Sequence, residues 1–172
     1  MSRVVPTFAW PNRSMARGNV ARNVSWDANP SWSPDGSKIA FESQRHGAWD
    51  IYVMDTDGSE QTRLTNFSTT DDRRASWSPD GSKIAFESTR HRVDAYDHNT
   101  EIYVMSADGS NPIRLTNSPL RDQHPSWSPD GDKITFSSQR DGNWEVYVIN
   151  ADGSGQPARL TTNVAKDEDP SW

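Results

Sequence analysis

The sequence contains no cysteine, so disulfide scaffolding, thiolate catalysis and cysteine-based metal centres are excluded. It also lacks any run of about 18 apolar residues, so a helical membrane span is not expected. The opening MSRVVPTFAWPNRSMARG has no apolar stretch long enough for a secretory signal. Basic residues are in the minority. Eighteen Lys and Arg stand against 24 Asp and Glu, for a net charge of -6, without the clustered cations of a nucleic-acid surface. Apolar residues make up 32% of the chain, a level that on its own suggests disorder. Eight Trp, five Phe and four Tyr oppose that reading, because each buries a large area.

What is present is a repeat. PSWSPDG at Pro30 to Gly36 returns as ASWSPDG at Ala75 to Gly81 and as PSWSPDG at Pro125 to Gly131. Trp32, Trp77, Trp127 and Trp172 stand 45, 50 and 45 residues apart. The longer middle unit carries an insertion, RHRVDAYDHNT at Arg90 to Thr100, in one connection. With its charge and lack of apolar alternation, this insertion is expected to protrude as a mobile surface loop.

Each unit reads as four short strands joined by Asp-Gly turns. The first leads into PSWS. The second is KIAFES, KIAFES or KITFSS, and the third is IYVMD, IYVMS or VYVIN. The fourth is TRLT, IRLT or ARLT. The third strands are apolar on both faces: Ile51 and Val53 point one way, Tyr52 and Met54 the other. A sheet with one wet face alternates apolar and polar residues. Two apolar faces place each small sheet between neighbours, as in the blades of a β-propeller. The expected fold is all-β: four-stranded antiparallel propeller blades, about three of them complete, with part-blades at both ends. Residues 1–24 read as the strands of an N-terminal part-blade, and residues 25–172 as a single domain of units 32–76, 77–126 and 127–171.

The pattern D-x-x-P-S-W-S-P-D-G-x-K-I-A-F-x-S, followed by I-Y-V-M-x-x-D-G-S-x-x-x-R-L-T, resembles the TolB-type propeller repeat. Related repeats occur in the propellers of prolyl-oligopeptidase-like peptidases. The resemblance covers about Asp27 to Trp172. It implies a propeller, which in this family has six or seven blades. It also implies a periplasmic or extracellular setting, and protein partners with segments that enter the central funnel.

An aspartate stands five residues before each repeat tryptophan: Asp27, Asp72, Asp122 and Asp167. The family arrangement puts these four near one rim of the channel. Two readings compete. Either each carboxylate ties a loop through backbone N–H groups or an Arg of an adjacent blade, with Arg45, Arg90 and Arg140 as the repeated candidates. Or the four form a ring that binds a cation such as calcium or a basic peptide, and the repeat tryptophans have as their own alternative an aromatic rim that binds carbohydrate or peptide. The turn aspartates are accounted for by turn chemistry. The repeat tryptophans are expected at blade interfaces, and Trp10, Trp26, Trp49 and Trp144 are candidates for contact surface. No His pair has zinc-ligand spacing, and no GxSxG or phosphate loop occurs. The chain is therefore read as non-enzymatic, with no required cofactor.

The strand of Pro170 and Trp172 opens a further repeat, and the strands at Val4, Phe8 and Trp10 lack an inner strand. These features make Val4, Phe8, Trp10, Pro170 and Trp172 the candidate assembly residues. They predict a homo-oligomer joined head to tail by strand addition, as a closed ring or a filament. A further protein or peptide partner is compatible with this reading, as is a truncated propeller from a larger envelope protein or peptidase.

Overall fold

The computed structural model describes residues 25–67, 69–91 and 99–172. Twelve β-strands follow one another without a helix among the described residues. They form three antiparallel sheets, each with its strands in chain order. Blade 1 holds β1 (Asp27–Trp32), β2 (Lys38–His46), β3 (Ala48–Asp55) and β4 (Thr62–Arg63). Blade 2 holds β5 (Asp72–Trp77), β6 (Lys83–Ser88), β7 (Glu101–Ser106) and β8 (Ile113–Arg114). Blade 3 holds β9 (Asp122–Trp127), β10 (Lys133–Ser138), β11 (Glu145–Asn150) and β12 (Ala158–Arg159). This is the propeller-blade architecture expected from the repeat. The insertion falls largely outside the described residues, as do Val4, Phe8 and Trp10.

Each SPDG turn closes in the same way. Asp35 accepts from the Ser33 hydroxyl at 2.6 Å and from the Ser37 N–H at 3.0 Å, and Asp80 repeats this with Ser78 and Ser82. These bonds hold both carboxyls down to about 2. The turn is thus fixed by its own side chains, independently of the rest of the blade.

The hydrophobic core lies between blades. One cluster joins Ala40, Ile51 and Val53 of blade 1 to Trp77, Ile84 and Tyr103 of blade 2. The other joins Ile102, Val104 and Leu115 of blade 2 to Trp127, Phe136 and Tyr147 of blade 3. Strand β7 therefore feeds both clusters, Ile102 and Val104 toward blade 3 and Tyr103 and Met105 toward blade 1. That division is the physical basis of the apolar-on-both-faces pattern.

Candidate functional site

Each inner strand carries a β-bulge. The register of β1 on β2 shifts between Ala28 and Ser31, and that of β5 on β6 between Arg73 and Ser76. At the bulge Asn29, Arg74 and His124 adopt positive φ, as does Asp169. The bulge turns a backbone N–H away from its own sheet and toward the preceding blade. The Arg74 N–H donates to Glu42 Oε2 at 3.0 Å, and the His124 N–H donates to Glu87 Oε2 at 3.2 Å. In blade 3 a serine stands at this place, and the Asp169 N–H donates to Ser137 Oγ at 3.0 Å. Burial pushes the Glu87 carboxyl up to about 7, against the pull of the His124 N–H and Arg74. His124 Nδ1 lies 2.5 Å from Asp169 Oδ1, and burial holds its pKa below the usual value.

The repeated aspartates open these strands. Asp27, Asp72 and Asp122 pair in register with Ser43, Ser88 and Ser138. Two residues past each serine stands an arginine. Its Nε–H donates to the serine Oγ at 2.8–2.9 Å, and its terminal nitrogen reaches the aspartate. Arg90 donates to Asp72 at 3.1 Å, Arg140 to Asp122 at 2.8 Å and Arg45 to Asp27 at 3.3 Å. Each arginine belongs to the same blade as its aspartate, not to an adjacent one, because the antiparallel pairing of the first two strands already brings them together. The guanidinium also stacks over a third-strand ring, at 4.5 Å for Arg45 on Tyr52, 4.6 Å for Arg90 on Tyr103 and 4.7 Å for Arg140 on Tyr147. Asp72 and Asp122 are fully buried, whereas the side chain of Asp27 is half-exposed. Burial raises the Asp122 carboxyl to about 6, with Ser138 and Arg140 offsetting part of the rise. Asp167 is half-buried and accepts from the Asn163 amide at 2.8 Å.

A second layer of ion pairs fixes the fourth strand, and the sequence gives a signal for it only in retrospect. Arg63, Arg114 and Arg159 of the RLT motif donate to Asp50, Glu101 and Glu145 at 2.6–2.7 Å. The motif threonine hydroxyl accepts the N–H of Ile51, Ile102 or Val146 at 2.9 Å. His46, His91 and Asp141, which share one repeat position, each bond the hydroxyl of the third-strand tyrosine, Tyr52, Tyr103 or Tyr147. Among the described residues no group of three or more His, Asp or Glu could hold a metal ion.

Trp32, Trp77 and Trp127 line a recess of about 230 Å³ where the three inner strands converge. The Trp77 indole N–H donates to the Ser31 carbonyl at 3.2 Å, and that of Trp127 to the Ser76 carbonyl at 3.0 Å. Each indole thus reaches one blade back. Trp77 and Trp127 are buried, whereas Trp32 is 56% and Trp172 54% exposed. Trp49 and Trp144 are buried, with Arg73 of blade 2 over the Trp49 ring at 4.4 Å, which removes them from the contact surface, while Trp26 is exposed. Pro170 is half-buried.

Three successive four-stranded sheets with interlocked inner strands define a run of β-propeller blades. The chain belongs to the TolB β-propeller domain family, which it matches over residues 12–94 and 92–172. It is 42% identical over 164 residues to a TolB homolog of Chlorobium luteolum, covering 94% of this chain and 35% of that protein. To the Tol-Pal system protein TolB of Bordetella pertussis it is 41% identical over 126 residues, covering 73% of this chain and 27% of that protein. Among solved structures, TolB from Acinetobacter baumannii superposes with a TM-score of 0.72 at 28% identity, covering 86% of this chain and 35% of the other. The chain therefore spans about a third of the length of these relatives.

Proposed function

We propose that this chain is a non-enzymatic propeller module that binds proteins, among them a second copy of itself, in head-to-tail order. The observation that carries this reading is the exposed face of blade 1. Trp32 is 56% exposed, whereas its counterparts Trp77 and Trp127 are 9% and 7% exposed. Pro30 is exposed on the same strand, and Trp26 is exposed at the strand's other end. An uncovered aromatic and apolar patch of this kind marks a protein contact. The buried acids of the blades support the same conclusion from the other side. Asp72 and Asp122 are already bonded to Arg90 and Arg140, which stand where a bound cation would compete. Head-to-tail association through such faces gives a closed ring or a filament, according to whether the rotation closes. The names of the relatives, proteins of the Tol-Pal system, favour a periplasmic or extracellular setting and protein partners.

A second reading is favoured by the coverage of the relatives, about a third of their length. In it, further blades of one longer chain lie against Trp32, and the module is part of a larger propeller.

Sedimentation equilibrium of the 172-residue chain tests the proposal. A mass that rises with concentration above that of the single chain is expected. Trp32→Asp should abolish the rise without lowering the melting temperature, because the side chain contributes little to the blade's own packing. A chain that stays at the single-chain mass throughout removes self-association.

A further inference from the structure

The inner strands of blades 2 and 3 each dock on the preceding blade through the bulge N–H and the tryptophan indole. In blade 3 the Asp122 N–H donates to the Thr100 carbonyl at 2.9 Å, and the His124 N–H donates to Glu87. Residues 167–172 repeat this arrangement on the far side of blade 3. The Asp167 N–H donates to the Trp144 carbonyl at 2.9 Å and the Asp169 N–H to Ser137 Oγ at 3.0 Å. Asp169 has the positive φ of the bulge residues. The segment thus occupies the seat of a fourth inner strand, yet it pairs with no strand among the described residues. Among the described residues nothing covers the surface around it. Leu160 is 54% exposed, whereas its counterpart Leu115 is 8% exposed under blade 3.

The segment in this seat reads DEDPSW, and β1 reads DANPSW. The two share Asp, Pro, Ser and Trp in register. β1, however, brings a complete blade behind it, whose Trp32 face is uncovered among the described residues. We infer that residues 167–172 are a placeholder, which β1 of a second copy displaces, so that blade 1 of one copy stacks on blade 3 of another. This inference rests on the self-association reading and specifies its interface.

Each contact of the stack has a counterpart inside the chain. The Asp27 and Asn29 N–H groups of the incoming copy would take over the Trp144 carbonyl and Ser137 Oγ. The Trp32 indole would donate to the Ser126 carbonyl, as Trp77 does to Ser31 and Trp127 to Ser76. Leu160 would approach Gly58, which has open space where a Cβ would stand, as Leu64 now crowds Gly109 and Leu115 touches the Cβ position of Gly153. Asp27 would become enclosed with Arg45, as Asp72 is with Arg90. The tethered segment has the advantage of a high effective concentration. The incoming blade buries more apolar surface, including Trp32 and Leu160, and removes it from water. Because the contact is heterologous, two copies joined through two such junctions close a ring of six blades.

The test compares the full chain with one lacking residues 167–172 by sedimentation equilibrium. Removal of the competitor should lower the dissociation constant by about ten-fold or more. A synthetic DEDPSW hexapeptide should reverse that gain. In the shortened chain, Trp32→Arg and Leu160→Arg should each prevent association. A mixture of the two variants should form dimers, because each keeps the face that the other has lost. Both substitutions are at exposed side chains, so unchanged melting curves confirm that the fold is retained. A shortened chain that associates more weakly than the full chain, or equally, overturns the displacement while self-association stands. Monomers at every concentration in both chains overturn both readings.

Discussion

Glu87 sits at the junction of blades 2 and 3, 5% exposed, with Arg73, Arg74, Glu42 and the His124 backbone around it. Its carboxyl is raised from 4.5 to about 7, so the folded state holds a proton there more tightly than the unfolded chain does. The stabilisation from the protonated form is fully present below about pH 4.5 and is lost as pH rises through about 7. Asp122, raised to about 6 by burial, acts in the same direction. Glu87→Gln keeps an acceptor for the His124 N–H and removes the buried charge. It should therefore raise stability at pH 8 by about 3 kcal/mol, and at pH 5 by less than about 1 kcal/mol. Urea midpoints at the two pH values decide this, and parallel shifts at both would contradict it. The repeated Asp and its Arg partner are legible in the sequence, because both recur at fixed spacing. The blade of the arginine is not, since the register of β1 on β2 has no mark in the sequence. The roles of Glu42 and Glu87 are not legible at all. A glutamate in KIAFES looks like an ordinary polar residue of a strand, and its acceptor role depends on a bulge in the following blade.

At the scale of the element, the four-strand unit was legible almost throughout. The Asp-Gly turns and the apolar third strands fall where the structure has them, because turn chemistry and two-sided burial are local signals. The fourth strand is shorter than TRLT suggests: it pairs over Thr62 and Arg63 alone. Beyond them the Leu64 N–H still donates to the Ile51 carbonyl at 2.8 Å, and the side chains of Thr65 and Arg63 bond the third strand as well, so the chain keeps its place without a longer ladder. The second Asp-Gly turn also carries inter-blade packing, which no turn rule announces. Gly109 has φ 86°, and a Cβ there would lie 2.9 Å from the Leu64 carbonyl oxygen. Gly58 has the same φ in blade 1, and a Cβ there would meet no atom within 4 Å. Gly109→Ala should cost about 3 kcal/mol, combining backbone strain with displacement of blade 1, and Gly58→Ala about 1 kcal/mol from strain alone. Chemical denaturation of the two variants measures the difference. Equal losses would show that the close approach to Leu64 carries no energy.

For the whole molecule, the repeat gave the number of complete blades, but not what lies against the outer two. Trp32 and Trp77 occupy equivalent places in identical local sequence, SWSPDG, and among the described residues only Trp77 has a blade against it. Burial of that kind belongs to the arrangement of blades and leaves no trace within a single unit. It does have a consequence in time. Among the described residues blade 2 is gripped on both faces by the two core clusters, whereas blades 1 and 3 are each gripped by one. In such a linear array, opening spreads inward from weakly held outer units. Amide protons of β6 and β7 should therefore exchange with deuterium more slowly than those of β2, β3, β10 and β11, although the strands are near copies. The gradient would report neighbour coupling free of composition, and closing the array into a ring would flatten it.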